Sequence, residues 1–328
     1  MNFAKISCIF TRMGNADERT FHAQREQGRL ADAGDFPKVV LLDTCSYCNL
    51  RCSMCVHRTM KRPKGFMAWP LFTKLVDEIA AERPDARVWL VFFGEALIRK
   101  RVAPTIFDMI AYAKERGLTD VVMNTNAALL DEAAARGLIR AGLDALYVGI
   151  DAATPETYAR VRVGADHATT VGNVLRLLQI KRELGAARPA VFVQFVEMDE
   201  NRGEKEAFVD FWRKHDVTVK IRPKVSWAGK IEAPNLVLGN EERWPCHWAM
   251  QTMSVAHDGR VVTCPVDLDA RFVAGDVTRD TLKSIWNGAL RELRELHLAR
   301  RFEELPPVCR DCRDWQSARA DYHVAGQP

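Results

Sequence analysis

The run Cys48-Asn49-Leu50-Arg51-Cys52-Ser53-Met54-Cys55 packs three thiols into the spacing C-x3-C-x2-C. Three thiols so close cannot all pair as disulfides. Cys45 lies just upstream and could close a four-thiolate zinc site. Zinc pairs of the C-x2-C type, however, are normally separated by roughly a dozen or more residues, and here only three intervene. A cubane iron–sulfur cluster on three thiolates fits the spacing better, and it leaves one iron open to a small molecule. An open iron beside a substrate cavity implies redox chemistry, so the fold must carry this loop at the rim of a cavity.

The surrounding pattern supplies such a fold. From Lys38 onward, short β-rich runs alternate with helical stripes. The runs are Val39–Leu42, Val88–Phe93, Asp120–Met123, Ala145–Ile150, Val191–Val196 and Val217–Ile221. Between them, Leu71, Phe72, Leu75, Val76 and Ile79 form one apolar stripe, with Pro70 suited to a first helical turn. Val171, Val174, Leu175 and Leu178 form another. Six β-then-α units predict an α/β fold, a partial (β/α)6 TIM-like barrel with helices outside. In such folds chemistry gathers at the C-terminal strand ends, and the cysteine run follows the first strand.

The cysteine run in this position resembles the cluster loop of the radical S-adenosylmethionine (SAM) enzymes. The resemblance implies that Cys48, Cys52 and Cys55 hold a [4Fe-4S] cluster whose fourth iron chelates SAM. Reductive cleavage would then give a 5'-deoxyadenosyl radical that abstracts a substrate hydrogen, while the protein positions the cofactor. Met54 stands where the family usually has an aromatic residue; its apolar side chain can still cover a cluster.

Further elements follow the later strands. Phe93-Gly94-Glu95-Ala96 resembles the family's Gly-Gly-Glu-Pro element at Gly94 and Glu95 only, which implies contact with the amino group of SAM. Asn124-Thr125-Asn126 resembles its Thr-Asn-Gly element, so Asn126 either serves polar groups of SAM or caps the next helix. Asp151 occupies a position where the family often has a ribose-facing polar residue; the alternative is again a helix cap ahead of Thr154-Pro155-Glu156. Arg162 could pair with the SAM carboxylate or lie on a helix surface. Lys220 and Arg222 are two apart and share one strand face. Facing inward, they suit a polar or anionic substrate or a deprotonation step; facing outward, they are ordinary surface cations. His57 is expected as a solvated loop histidine, the alternative being a group that supports the cluster ligands from behind, and Trp227, Trp244 and Trp248 as core or pocket wall.

Around Lys224–Asn240 the pattern loses periodicity. The chain therefore divides into an N-terminal extension, 1–36, with a helix near residues 16–32; a barrel, 37–224; a linker across the barrel mouth, 225–240; and a small α+β module, 241–328. In the module, Thr252–Ala256 and Arg260–Cys264 flank His257-Asp258-Gly259, a hairpin signal. Leu282, Ile285, Trp286, Leu290 and Leu293 mark one helix. Cys246, Cys264, Cys309 and Cys312 are the module's cysteines. Their arrangement resembles the SPASM/Twitch extensions of radical SAM enzymes, in the shorter Twitch form with one auxiliary cluster. Four thiolates would saturate a second [4Fe-4S] cluster; a four-cysteine zinc site is the alternative.

The bulk properties exclude other classes. A formal net charge of +4 over 328 residues gives no reason to expect nucleic acid. No run approaches the roughly 18 apolar residues of a membrane span. Nine cysteines without a secretion signal point to the cytoplasm and to metal ligation. The resemblance implies an external electron donor such as flavodoxin or ferredoxin and a small-molecule substrate.

The reaction stays open at this level. One expectation is oxidation of a secondary alcohol on an aminocyclitol, aminoglycoside or sugar, as in antibiotic biosynthesis, with the auxiliary cluster accepting an electron. This resembles the butirosin-pathway cyclitol dehydrogenase. A second is epimerisation with a cysteine thiol as hydrogen donor, as in the neomycin-pathway epimerase; Cys45 and Cys8 are the cysteines left over for it. Peptide maturation ranks lower, since a leader-binding domain and further auxiliary cysteines are not seen. A zinc-stapled non-catalytic binding protein is the reading from another class.

Overall fold

A computed structural model describes residues 33–91, 93–234, 243–318 and 321–324. The expected helix near 16–32, Cys8 and most of the predicted linker after residue 234 lie outside them. Six strands run in parallel and in sequential order: β1 (Val39–Leu42), β2 (Arg87–Trp89), β3 (Asp120–Thr125), β4 (Ala145–Gly149), β5 (Ala190–Glu197) and β6 (Thr218–Pro223). Sequential order with right-handed crossovers puts every connecting helix on one side of the sheet, which is the partial barrel expected.

The helices form where the stripes predicted. Trp69–Glu82 carries Pro70 in its first turn and buries Phe72, Leu75, Val76 and Ile79. Each such side chain contributes roughly 1.5–3 kcal/mol on burial. His167–Glu183 buries Val174, Leu177 and Ile180 and is capped by Asp166. Asp131 caps Glu132–Ala141, and Thr154 caps Pro155–Val161. The helix-cap alternatives for Asn126 and Asp151 are thereby taken by other residues.

The C-terminal module extends the barrel sheet at both edges. β7 (Thr252–Val255) pairs in parallel with β1, and β8 (Arg260–Val262) and β9 (Val273–Asp276) continue antiparallel from it. β10 (Asp321–His323) pairs antiparallel with β6. One ten-stranded sheet results. The hairpin at 257–259 forms as expected, with Gly259 at φ +96°. The single helix expected over 282–293 is instead two, Leu282–Asn287 and Ala289–Leu298. Gly288 between them adopts φ −95°, ψ −117°, outside helical values, and so breaks the run. Among the described residues no helix is long and apolar enough to cross a membrane.

Candidate functional site

The cysteine loop leaves the C-terminal end of β1 and is braced by every neighbour it meets. On the β2 side, Gly94 has φ +146°, and a Cβ there would collide with the carbonyl of Cys45 and lie 2.7 Å from that of Tyr47. Glycine is therefore required for contact with the loop itself. The next amide, Glu95 N, donates to Tyr47 O at 2.8 Å. Glu95 is 1% exposed. Its carboxylate accepts from Leu97 N (3.0 Å), Thr125 Oγ1 (2.8 Å) and Asn126 N (2.7 Å). Burial raises its pKa, with those three donors opposing the shift.

From the β3 side, Asn126 Nδ2 donates to Asn49 Oδ1 at 2.9 Å, inside the cysteine loop. Beyond β4, backbone bonds from Arg51 N to Val163 O (2.9 Å) and Ser53 N to Val161 O (3.0 Å) tie the loop to the segment around Arg162. Arg162 Nη1 stands 3.5 Å from Cys52 Sγ, and Nε donates to Asp151 Oδ2 at 2.7 Å. Asp151 is fully buried, sits at φ +62°, and gives its other oxygen to Val196 N at 2.7 Å. Its carboxylate thus holds Arg162 and the end of β5.

Sequence patterns missed further braces. His57 is buried, and its Nε2 donates to Ser46 O at 2.7 Å; burial lowers its pKa. The expectation of a solvated loop histidine is corrected: the ring is a strut beneath the loop. Trp227 Nε1 donates to Met54 O at 2.7 Å, and the ring packs on Phe93 with centroids 5.4 Å apart. Trp227 therefore packs over the cysteine loop. From the module, His257 Nδ1 lies 3.3 Å from Ser46 Oγ and 3.2 Å from Arg62 Nη1. Arg62 in turn pairs with buried Asp43 at 2.6 Å. No short-range signal marks these partners, which are up to 211 residues apart.

Cys45, a candidate hydrogen donor, is fully buried. Its thiol donates to Tyr47 O at 3.6 Å, and burial pushes its pKa up to about 12.

In-register strand neighbours share a face, and Gln194 pairs with Lys220 as Val196 does with Arg222. Lys220 Nζ lies 5.5 Å from the centre of the Tyr147 ring. Tyr147 stacks on Phe192 with centroids 4.7 Å apart and meets Trp89 at 4.9 Å. Val219 and Ile221, on the opposite face, join the main core under the helices. Lys220 and Arg222 therefore face the interior, which settles the choice the sequence left open. Burial first, then Arg222 and Arg87, lowers Lys220 to about 8. The charge of Arg222 is felt at Cys55.

The module builds the second thiol site. Cys246, Cys264, Cys309 and Cys312 line one cavity together with Thr263, Arg243 and His297. Arg243 donates to the carbonyls of Cys309 and Arg310, each at 2.7 Å. Asp314 N points at Cys312 Sγ from 3.2 Å. Trp244 meets Trp315 edge-on at 4.4 Å, and Trp248 lines the thiol cavity.

Both thiol sets fit iron–sulfur clusters by their donor chemistry. Cys48, Cys52 and Cys55 come from one short loop, with the Arg162 guanidinium against Cys52. Among the described residues no three His, Cys, Asp or Glu groups are placed to hold a single metal ion, and the module's four thiols line one cavity. Burial pushes Cys48 up to about 11 and Cys309 up to about 12. A coordinating metal deprotonates such thiols outright.

Comparison with known proteins agrees with this geometry. The radical SAM superfamily model matches residues 43–194. The iron–sulfur cluster-binding domain model called SPASM matches residues 246–313. The chain is 30% identical over 165 residues to the tungsten-containing aldehyde ferredoxin oxidoreductase cofactor-modifying protein of Pyrococcus furiosus, covering 50% of this chain and 45% of that one. It is 29% identical over 181 residues to GTP 3',8-cyclase of Synechococcus sp., covering 53% and 49%. The chain thus spans about half the length of these curated relatives. Among solved structures, BtrN in complex with AdoMet and 2-DOIA superposes with a TM-score of 0.57 at 18% identity, covering 84% of this chain and 92% of BtrN. Streptococcus suis SuiB bound to precursor peptide SuiA gives 0.64 at 14%, covering 90% and 75%. These likenesses show a shared fold. A radical SAM domain implies SAM and a [4Fe-4S] cluster, and a SPASM domain implies additional iron–sulfur clusters.

Proposed function

We propose that this chain, which matches the radical SAM superfamily model over residues 43–194 and the SPASM iron–sulfur model over residues 246–313, oxidises a secondary alcohol of a polar small molecule to a ketone. The substrate class we favour is an aminocyclitol, aminoglycoside or sugar. When bound, SAM on the first cluster supplies a hydrogen-abstracting radical, and a second cluster saturated by four thiolates supplies an acceptor for one electron.

The chain's own residues would do the rest. Cys48, Cys52 and Cys55 hold the first cluster, and Cys246, Cys264, Cys309 and Cys312 the second. Arg162, fixed by Asp151, places a cation against Cys52. Gly94, Glu95 and Asn126 hold the loop in position to present its open side to SAM. Lys220 takes the hydroxyl proton, which its lowered pKa favours. Arg222, one step closer to the loop, holds the substrate oxygen. Over the turnover the substrate loses one hydrogen atom, one proton and one electron, which together convert a carbinol to a ketone.

The observation that carries this reading is the inward row of Lys220 and Arg222 on an aromatic floor. Epimerisation would need a thiol facing the substrate. Among the described residues Cys45 is the thiol outside the two sets, and its burial against Tyr47 weighs against that role. A relative's precursor peptide, as for SuiB, would need room for an extended chain; the two cations favour a compact polar ligand instead.

The test is anaerobic incubation of the reconstituted protein, SAM and reductant with a panel of aminocyclitols and sugars deuterated at the carbinol carbons. The expected result is deuterium in 5'-deoxyadenosine, a ketone product and one SAM consumed per ketone. Solvent deuterium in an inverted carbinol, with no ketone, would overturn the reading in favour of epimerisation.

A further inference from the structure

We propose that His297 donates a hydrogen bond to a sulfur of the cluster held by Cys246, Cys264, Cys309 and Cys312, and that this bond raises the cluster's reduction potential. The inference rests on the reading that these four thiols carry a cluster; it does not depend on the substrate.

His297 comes from the helix Ala289–Leu298 and lines the same cavity as the four thiols. It is 1% exposed, and among the described residues neither Nδ1 nor Nε2 has a hydrogen-bond partner. Folded proteins rarely bury a polar group in this state unless a partner outside the protein atoms completes it. Two residues beside the ring, Phe302 and Arg243, cannot do so. The Phe302 ring meets His297 at 6.0 Å between centroids and offers no acceptor atom in its plane. Arg243 is a donor already committed to two carbonyls.

An imidazole carries at least one N–H in either charge state, so the ring has a donor to offer. Four cysteines already fill the iron positions of a four-iron cluster, so ligation is not what the ring is placed for. An N–H directed at a ligand or bridging sulfur stabilises the added negative charge of the reduced cluster. Such hydrogen bonds are among the factors that set cluster potentials.

The test uses the full chain with Cys48, Cys52 and Cys55 changed to alanine, so that this cluster alone is present. It is titrated against reductant and followed by electron paramagnetic resonance. His297→Leu is expected to lower the ratio of reduced to oxidised cluster about tenfold at the parent's midpoint, equivalent to about 59 mV for one electron. His297→Gln keeps an N–H and is expected to titrate close to the parent. The inference is overturned if His297→Leu matches the parent, or if His297→Gln falls as far as His297→Leu. Should His297→Leu fail to retain iron, protein labelled with 15N-histidine decides. Pulsed resonance of the reduced cluster then shows coupling to 15N, and its absence overturns the inference. Iron and sulfide missing from the triple-alanine chain would sink the cluster reading and this inference together. A normal His297 effect without any ketone product would sink only the proposed reaction.

Discussion

Arg162 and Cys52 meet across the mouth of the barrel, with Nη1 of the arginine 3.5 Å from the sulfur. Asp151 grips the opposite edge of the guanidinium. Gly149 makes the arrangement sterically possible, since a Cβ at that position would collide with Arg162 Nη2. The buried Asp151 carboxylate thereby holds a cation against the Cys52 thiol.

Arg162→Ala leaves the Asp151 carboxylate buried without its cation. Removing one partner of a buried pair costs about 3–5 kcal/mol. The single variant should therefore unfold at markedly lower denaturant. The double variant Arg162→Ala/Asp151→Asn should recover part of the loss, because the stranded charge is gone. Equal midpoints for the single variant and the parent would show that the pair contributes nothing.

Cysteine replacements should divide the iron. The parent needs about eight irons per chain if both clusters hold four. Cys52→Ala should retain about half the iron and sulfide and form no 5'-deoxyadenosine. Cys312→Ala should lose the other cluster while still cleaving SAM. Zinc in place of iron, with no acid-labile sulfide, would contradict both assignments.

Gly94→Ala should act through the loop. The backbone strain of a side chain at φ +146° costs about 1–3 kcal/mol. Collision with the Cys45 and Tyr47 carbonyls adds displacement of the cysteine loop. We expect a lower melting temperature and poorer loading of the first cluster, with the second unaffected. A fully loaded, normally stable Gly94→Ala protein would rule out the contact.

Lys220 should give turnover an ascending acid limb. The neutral amine accepts a proton and the ammonium does not, so ketone formation should rise as pH passes upward through about 8. Lys220→Arg stays charged throughout and should lose the limb along with roughly 10²-fold or more in rate. Single-turnover rates across pH 6.5–9.5, roughly the span around that value, would show this. A rate that falls above about 8 would instead assign the ammonium to holding an anionic group.

Much of the fold was legible because strand and helix periodicity are local. The Trp69–Glu82 helix follows directly from Pro70 and an apolar stripe. The two-helix break at Gly288 was not, since the apolar spacing on either side continues as though one helix ran through. Site residues followed the same division. Gly94, Glu95 and Asn126 were marked by their place after strands, but their hydrogen bonds run chiefly to the loop and to one another. His57, Arg62, His257 and His297 carried no spacing signal.

From its order of residues alone, this chain fixed two thiol sets and a run of β-then-α units, because both are matters of spacing along the backbone. Only the folded arrangement decided that Lys220 and Arg222 look inward, that Asp151 grips Arg162, and that the module closes on both sheet edges. Those outcomes depend on which distant surfaces exclude water together. Burial and charge pairing between residues far apart in sequence leave no periodic trace in it.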